Sequence, residues 1–335
     1  MNTVVKNTTI AMVLEQAGGN FIKKTIELPE IGTKQVKIEI YASAVNPLDT
    51  KIWSGNAGHA KQPLPAVLGT DLAGIIVETG SHVTKFKVGD EVFGLTGGVG
   101  GNQGSLAQFA VVDEVLLAKK PKNLSMQATA ALPLIFITAW EGLVDRAKVD
   151  AHKTVFVQAG AGGVGSMAIQ IARAFGATVY ATASVADHDL IRSYGAIPIT
   201  FEEMESGEYL NKYTCGEGFD IVFDTLGGTF LDAAFKAVKI YTGHVVTALG
   251  WGSHSLAPLS FRGATYSGIF TLLPLITDIG RAYHGEILSE ATALAESGKL
   301  VVRLHPSAYT LNHVDEAHAL VRAGKAKGKV VIKIK

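Results

Sequence analysis

Residues 160 to 165 read Gly160, Ala161, Gly162, Gly163, Val164, Gly165, and Gly160, Gly162 and Gly165 carry the spacing of a dinucleotide-binding turn. Chemistry at such a turn depends on having little side chain. Bare backbone lets a pyrophosphate approach, and the free amides and positive dipole end of a following helix favour its negative charge. The context agrees, because "TVFVQA" before the loop is a short apolar strand. After it, Val164, Met167, Ala168, Ile171, Ala172 and Phe175 fall on one helical face. Strand, glycine turn and helix together distinguish nucleotide binding from an ordinary glycine loop.

The next strand, "TVYATA", ends at Ser184, roughly twenty residues past the last glycine, where an NAD site places a carboxylate on the ribose 2′-hydroxyl. A serine tolerates an added 2′-phosphate that a carboxylate would repel, so NADPH is expected over NADH. His188 or Arg192 would supply positive charge. The competing acid is Asp187, although Ser184-x-x-Asp187 also reads as a helix cap with its acid in the first turn.

Elements able to position this loop are written along the chain. Up to residue 124 the signals are β, as in "QVKIEIYASAV", "DLAGIIVETG", "DEVFGLTG" and "AQFAVVDEVLLA", and a rolled or barrel-like sheet is expected. From Ser125 the pattern becomes short apolar strands separated by amphipathic helical segments, "TVFVQA", "TVYATA", "FDIVFDTL", "HVVTALG" and "YSGIF", as in a parallel α/β sheet. Past residue 272 come helical "EILSEATALAESGKL", "VVRLHPSAYTL", a helix "VDEAHALVRAG" and a last strand "KVVIKIK" that could complete the first sheet.

Composition narrows the function classes. The 335 residues are 47% hydrophobic, enough for a large core and about two domains. Thirty basic and thirty acidic residues leave no electrostatic pull toward nucleic acid. The single cysteine, Cys215, excludes an intramolecular disulfide and a cysteine-built zinc site, and fits a reducing compartment. No secretory apolar run is present, and the first nine residues read as a short flexible extension. The longest uncharged stretch, 123 to 140, is broken by polar residues and Pro133, so a soluble, cytoplasmic protein without a membrane span is expected.

"AVNPLDTKIWSG", "LGTDLAGIIVETGSHVTKFKVGDEVFG", "ALPLIFITAWEGL" and "VFVQAGAGGVGSMAIQIARAFGA" occur in that order, and together they resemble the medium-chain dehydrogenase/reductase superfamily, in its zinc-independent quinone oxidoreductase branch. The resemblance spans nearly the whole chain. It implies an α/β fold in which a Rossmann doubly wound parallel sheet, expected over 125–271, is inserted into a mainly β, GroES-like catalytic domain over 1–124 and 272–335. Zinc-dependent members carry a cysteine and a Gly-His-Glu where this chain has Asn46 and Gly69-Thr70-Asp71, and the four-cysteine lobe is replaced by "GLTGGVGGNQGS". No metal is therefore expected. The ten histidines show no H-x-x-x-H spacing either.

By the same resemblance Asn46, Asp49 and Lys51 lie in the substrate loop and Thr138 at a helix end facing the nicotinamide. Asn46 and Thr138 could donate hydrogen bonds to a carbonyl oxygen as charge builds, and Lys51 could add positive charge or a proton. The structural alternatives are a turn at Asn46-Pro47, a helix brace at Asp49, a solvated Lys51 and a back-bonded Thr138. Further cofactor contacts implied are Asp224 to Gly227, Leu249, Gly250 and the "GIFTLL" segment with Phe270, while Lys329 is placed within reach of the phosphate. The tyrosine found after the substrate-loop aspartate in many quinone reductases is Trp53's neighbourhood here, which leaves the proton donor open.

The expected function is NADPH-dependent hydride transfer to a small electrophilic acceptor, a quinone or an α,β-unsaturated carbonyl. The accepted charge spreads through such conjugated systems, so they need no Lewis acid. The rival is a catalytically idle NADPH-binding protein. The resemblance also implies a homodimer through the edge strand "ATYSGIF".

Overall fold

The computed structural model of the protein describes residues 7–335, so most of the expected N-terminal extension lies outside the described residues. Its end does not: Thr8 and Thr9 already pair in a strand, because alternation of apolar side chains begins there. The chain divides into two compact units, one of the described residues up to Leu134 together with Leu272–Lys335, the other Ile135–Thr271.

The first unit opens with β1 (Thr8–Leu14), β2 (Phe21–Glu27), β3 (Gln35–Val45), β4 (Ala66–Val67), β5 (Asp71–Thr79), β6 (Glu91–Leu95), β7 (Phe109–Asp113) and β8 (Leu117–Lys119). The second unit carries β9 (Thr154–Val157), β10 (Thr178–Thr182), β11 (Ile197–Ile199), β12 (Ile221–Asp224), β13 (His244–Thr247) and β14 (Thr265–Gly268). The chain then returns to the first unit with β15 (Tyr309–Thr310) and β16 (Val330–Lys333).

In the first unit β2, β1 and β4 form a three-stranded antiparallel sheet, and a seven-stranded sheet runs β15-β16-β3-β5-β6-β8 with β7 also paired to β3. The long strand β3 shows why: Val36, Ile38, Ile40, Ala42 and Ala44 alternate into the core, the period of a strand with one buried face. Its end is fixed by register, with Val330 of β16 opposite Val45 and Asp71 of β5 opposite Ala44.

The second unit is a six-stranded parallel sheet in the order β11-β10-β9-β12-β13-β14, the doubly wound arrangement. Its central strands are continuous apolar runs, "VFV" and "IVF", as sheets covered on both faces require. Phe156, Phe219 and Phe235 anchor a core on one face, with the Phe156 and Phe219 rings stacked at 5.0 Å.

Three details depart from the sequence expectation. Residues 125–134 belong to the first unit, because the short helix α2 (Met126–Ala130) packs on β3 and β5. Strand β14 stops at Gly268, leaving Ile269 and Phe270 beyond the ladder. Helix α1 (Pro47–Trp53) lies in the first unit and α3 (Pro133–Trp140) follows α2, while α4 spans Gly163–Ala174 and is buried on more than one face, Ile169 and Gln170 included, with Phe175 partly exposed beyond its end.

Candidate functional site

In the second unit the glycine turn joins β9 to α4. Ala159 and Gly160 are held to β10 by the Thr182 hydroxyl and carbonyl, each at 2.8 Å. A Cβ on Gly165 would lie 2.2 Å from the Ala159 carbonyl oxygen, and one on Gly160 2.7 Å from the Ala181 methyl. These two glycines are thus required by packing of turn, strand and helix. Gly162 is the N-cap of α4, is exposed, and offers no side chain to the first-turn amides. Gly163 and Val164, next in line, are half-buried. The arrangement fits a pyrophosphate: an exposed, uncapped start to a twelve-residue helix, with partial positive charge and nothing in the way.

Ser184 follows β10 and is exposed, and its hydroxyl donates to the Asp187 carboxylate at 2.8 Å. Ser184 does take the N-cap position with Asp187 in the first turn, but its hydroxyl is given to the carboxylate and caps no backbone amide. Arg192 is paired with exposed Asp189 at 2.8 Å, and His188 has a buried Nε2 with no hydrogen-bond partner among the described residues.

Asp224, expected to touch cofactor, is buried at the end of β12 with its carboxylate committed to the protein. It accepts from the Leu226 and Gly227 amides, each at 2.9 Å, and from the Thr247 hydroxyl at 2.6 Å. It braces the ends of β12 and β13. Leu249 and Gly250 follow β13, the Leu249 amide donating to Thr247 at 3.0 Å, and Phe270 meets Trp251 edge-on at 6.2 Å. Thr138, on α3, lies 3.0 Å from Thr271, whose hydroxyl donates to Glu141 at 3.1 Å. Just beyond, the helix widens to a π-helical turn over Glu141–Arg146, a distortion often found at functional sites.

In the first unit a second cluster forms where β3, β5 and β16 end together. Asn46 caps α1, Pro47 takes the first helical position, and the Asp49 carboxylate reaches back to the Asn46 amide at 2.7 Å. The Asn46 side chain donates to Thr70 at 3.0 Å and to Asp71 at 2.9 Å, and its oxygen accepts from the Lys329 ammonium. Lys329 also stands 3.8 Å from Asp71, and Asp71 accepts from the Leu134 amide at 3.0 Å. Asn46, Asp49 and Asp71 are 0% exposed and Lys329 9%.

Burial sets the electrostatics. It pushes the Asp49 carboxyl up to about 7, with the Asp71 charge adding to the rise and the Asn46 amide and Lys329 opposing it. Burial also raises Asp71 and lowers Lys329, each offset by the charge of the other. Two carboxyls share one ammonium, so a proton on Asp49 leaves the cluster neutral.

These contacts correct two expectations. Both Asn46 amide protons are used within the protein, so Asn46 is no donor to a substrate carbonyl. Lys329 is buried against Asn46 and Asp71 rather than extended to a phosphate. Thr138 shares a 3.0 Å hydrogen bond with Thr271 in which either hydroxyl can donate, and Thr271 also donates to Glu141. Lys51 is exposed, and its charge, after burial, helps hold His59 below the usual histidine range. The partners Asp71, Thr271 and Glu141 were not assigned roles from sequence. Only Asp71 left a signal, standing where zinc-dependent relatives carry a metal-binding segment.

The fold and the glycine turn define a dinucleotide-binding dehydrogenase or reductase of two units. The profile "Alcohol dehydrogenase GroES-like domain" matches residues 32–122 and the profile "Zinc-binding dehydrogenase" matches residues 198–332. The chain belongs to the medium-chain dehydrogenase/reductase superfamily, in its quinone-oxidoreductase-like branch. It is 37% identical to the 2-methylene-furan-3-one reductase of Solanum lycopersicum, over 93% of this chain and 74% of that protein. It is 36% identical to the chloroplastic NADPH-dependent alkenal/one oxidoreductase of Arabidopsis thaliana, over 93% and 75%. The crystal structure of an alcohol dehydrogenase superfamily protein from Novosphingobium aromaticivorans superposes with a TM-score of 0.95 at 52% identity, covering 98% of this chain and 100% of that one.

The zinc named in the second profile does not fit the residues present. Among the described residues no three His, Cys, Asp or Glu side chains group as a metal site. Where the catalytic metal of zinc-dependent relatives would be expected, the donors are an amide, a hydroxyl and a carboxylate already turned toward one another and toward an ammonium.

Proposed function

We propose that the protein is a reductase that takes hydride from NADPH and passes it to an α,β-unsaturated carbonyl or a quinone, without a metal. The observation that carries this reading is the bare, exposed start of α4, set by a turn in which Gly160 and Gly165 have no room for a Cβ. The activities named for the tomato and Arabidopsis relatives support it. Bound at this turn, NADPH would supply the hydride.

The remaining chemistry falls to the chain's own groups. Gly160, Gly162, Gly163, Val164 and Gly165 would receive the pyrophosphate, and Ser184 with His188 the ribose end. Thr138, paired with Thr271, would face the nicotinamide from the end of α3. Lys51, on the exposed side of α1, is the group able to bring positive charge to an acceptor, while Asp49 and Asn46 hold that helix. A conjugated acceptor delocalises the incoming charge, which suits a site whose only buried cation is already paired.

A homodimer through β14 belongs to the same reading. That strand is an edge of its sheet, and Ile240, Tyr241, Phe261 and Tyr266 are exposed beside it. Sedimentation at the monomer mass would remove the dimer. A cytoplasmic location is supported by the lone Cys215, and no helix of the described residues is long and apolar enough to cross a membrane. The decisive assay follows NADPH absorbance with panels of enones and quinones. Tight cofactor binding without consumption on any acceptor would leave a nucleotide-binding protein and no enzyme.

A further inference from the structure

We propose that Lys329 is an internal cation standing where a metal would otherwise tie the loop after β3 to β5, and that through Asn46 it positions α1 for the electron acceptor. The inference rests on the reductase reading for its last clause and on the buried cluster for the rest.

Backbone register brings the groups together. Lys329 immediately precedes Val330, which faces Val45, so it arrives opposite Asn46, while Asp71 sits one strand away against Ala44. The chemistry of Lys329, Asn46 and Asp71 is complementary. An ammonium has only donors, so it selects the Asn46 oxygen; a carboxylate has only acceptors, so Asp71 selects the Asn46 amide protons. The orientation of Asn46 is thereby set by the charges on both sides.

The charge requires a counterpart. An isolated carboxylate in this position would be costly to ionise, and among the described residues Lys329 is the cation that faces Asp71 and Asp49. A metal ion would meet the same need, but the oxygens it would take are those the ammonium holds. The buried ammonium donates to Asn46, the N-cap of α1, so its effect on an acceptor is exerted through that helix. Asn46 is the N-cap of that helix, and its backbone amide is held by Asp49 within the same cluster. Lys329 is a positioning residue in this scheme.

The test compares wild type, Lys329→Met, and the charge-balanced pair Lys329→Met with Asp71→Asn. Tm, Kd for NADPH, kcat and KM for a small enone, and hydrogen exchange of the α1 amides are measured on each. Lys329→Met is expected to lower Tm sharply, since it leaves a buried carboxylate unpaired. The paired variant should recover most of the Tm, keep its NADPH Kd within about twofold, and retain an enone KM about tenfold or more above wild type with faster α1 exchange. Should Lys329→Met fail to fold, the paired variant carries the comparison.

Wild-type enone KM and α1 exchange in the paired variant would overturn the proposal, reducing Lys329 to charge balance. So would a large loss of NADPH affinity, which would return Lys329 to the cofactor, or stoichiometric zinc in purified wild type by elemental analysis. If wild type turns over no acceptor, the reductase reading fails on its own, and the Tm, exchange and zinc measurements still decide whether Lys329 is the internal cation.

Discussion

The two units build polar sites by opposite means. At the start of α4 the site consists of what has been left out: side chains are missing, amides face outward, and an ionic ligand is expected from solvent. At the ends of β3, β5 and β16 the charges are already inside, paired with one another and shut off from water. The first is therefore tuned by volume and the second by charge. A methyl group added to the glycine turn should do more harm than a charge removed there, and the reverse should hold in the buried cluster.

The largest effect expected from this contrast is at Gly165→Val. Its Cβ would meet the Ala159 carbonyl at 2.2 Å, and calorimetry should show NADPH affinity falling by about a hundredfold or more, whereas an unchanged Kd would show that the turn does not bind the pyrophosphate. Next comes Asp71→Ala, which strands the Lys329 ammonium; denaturant unfolding should record a loss of about 3–5 kcal/mol. The same substitution at exposed Asp189 should change stability by less than about 1 kcal/mol.

A subtler probe of the buried charges is pH. Asp49 is held protonated in the folded protein up to about 7 but ionises near 3.8 when unfolded, so wild-type stability should decline from about pH 4 to about pH 7 on this account and level off above. Asp49→Asn removes that component. Its stability, measured against wild type across the range, should gain a few kcal/mol relative to wild type as pH rises to 7, and parallel curves would exclude a proton on Asp49. The smallest effect belongs to the solvent-facing site. Asp187→Ser removes the carboxylate beside Ser184, and the NADPH over NADH ratio of kcat/KM should rise by about tenfold.

What could be read in advance follows the same division. The glycine turn and α4 were legible because conformation and helical period are local properties of consecutive residues. Strand β11 was not, being three residues long with Pro198 in its middle, nor was the packing of α2 onto the first unit, which depends on partners far along the chain. Asn46, Asp49 and Lys329 were singled out, but their partners were not. An asparagine's type shows that it can donate two hydrogen bonds, and only the register of β5 on β3 shows that both are spent inside the protein. Thr138 is a similar case, since its partner Thr271 stands 133 positions away and itself donates to Glu141.

The discontinuity of the first unit also orders events during synthesis. Asn46 leaves the ribosome 283 positions ahead of the lysine that orients it, and the whole second unit is made in between. The nucleotide-binding unit can thus fold as an uninterrupted segment, while the β unit waits with two carboxyls at its heart and no ammonium to meet them. Nascent chains arrested before residue 329 should resist protease across the second unit and remain open to it around α1.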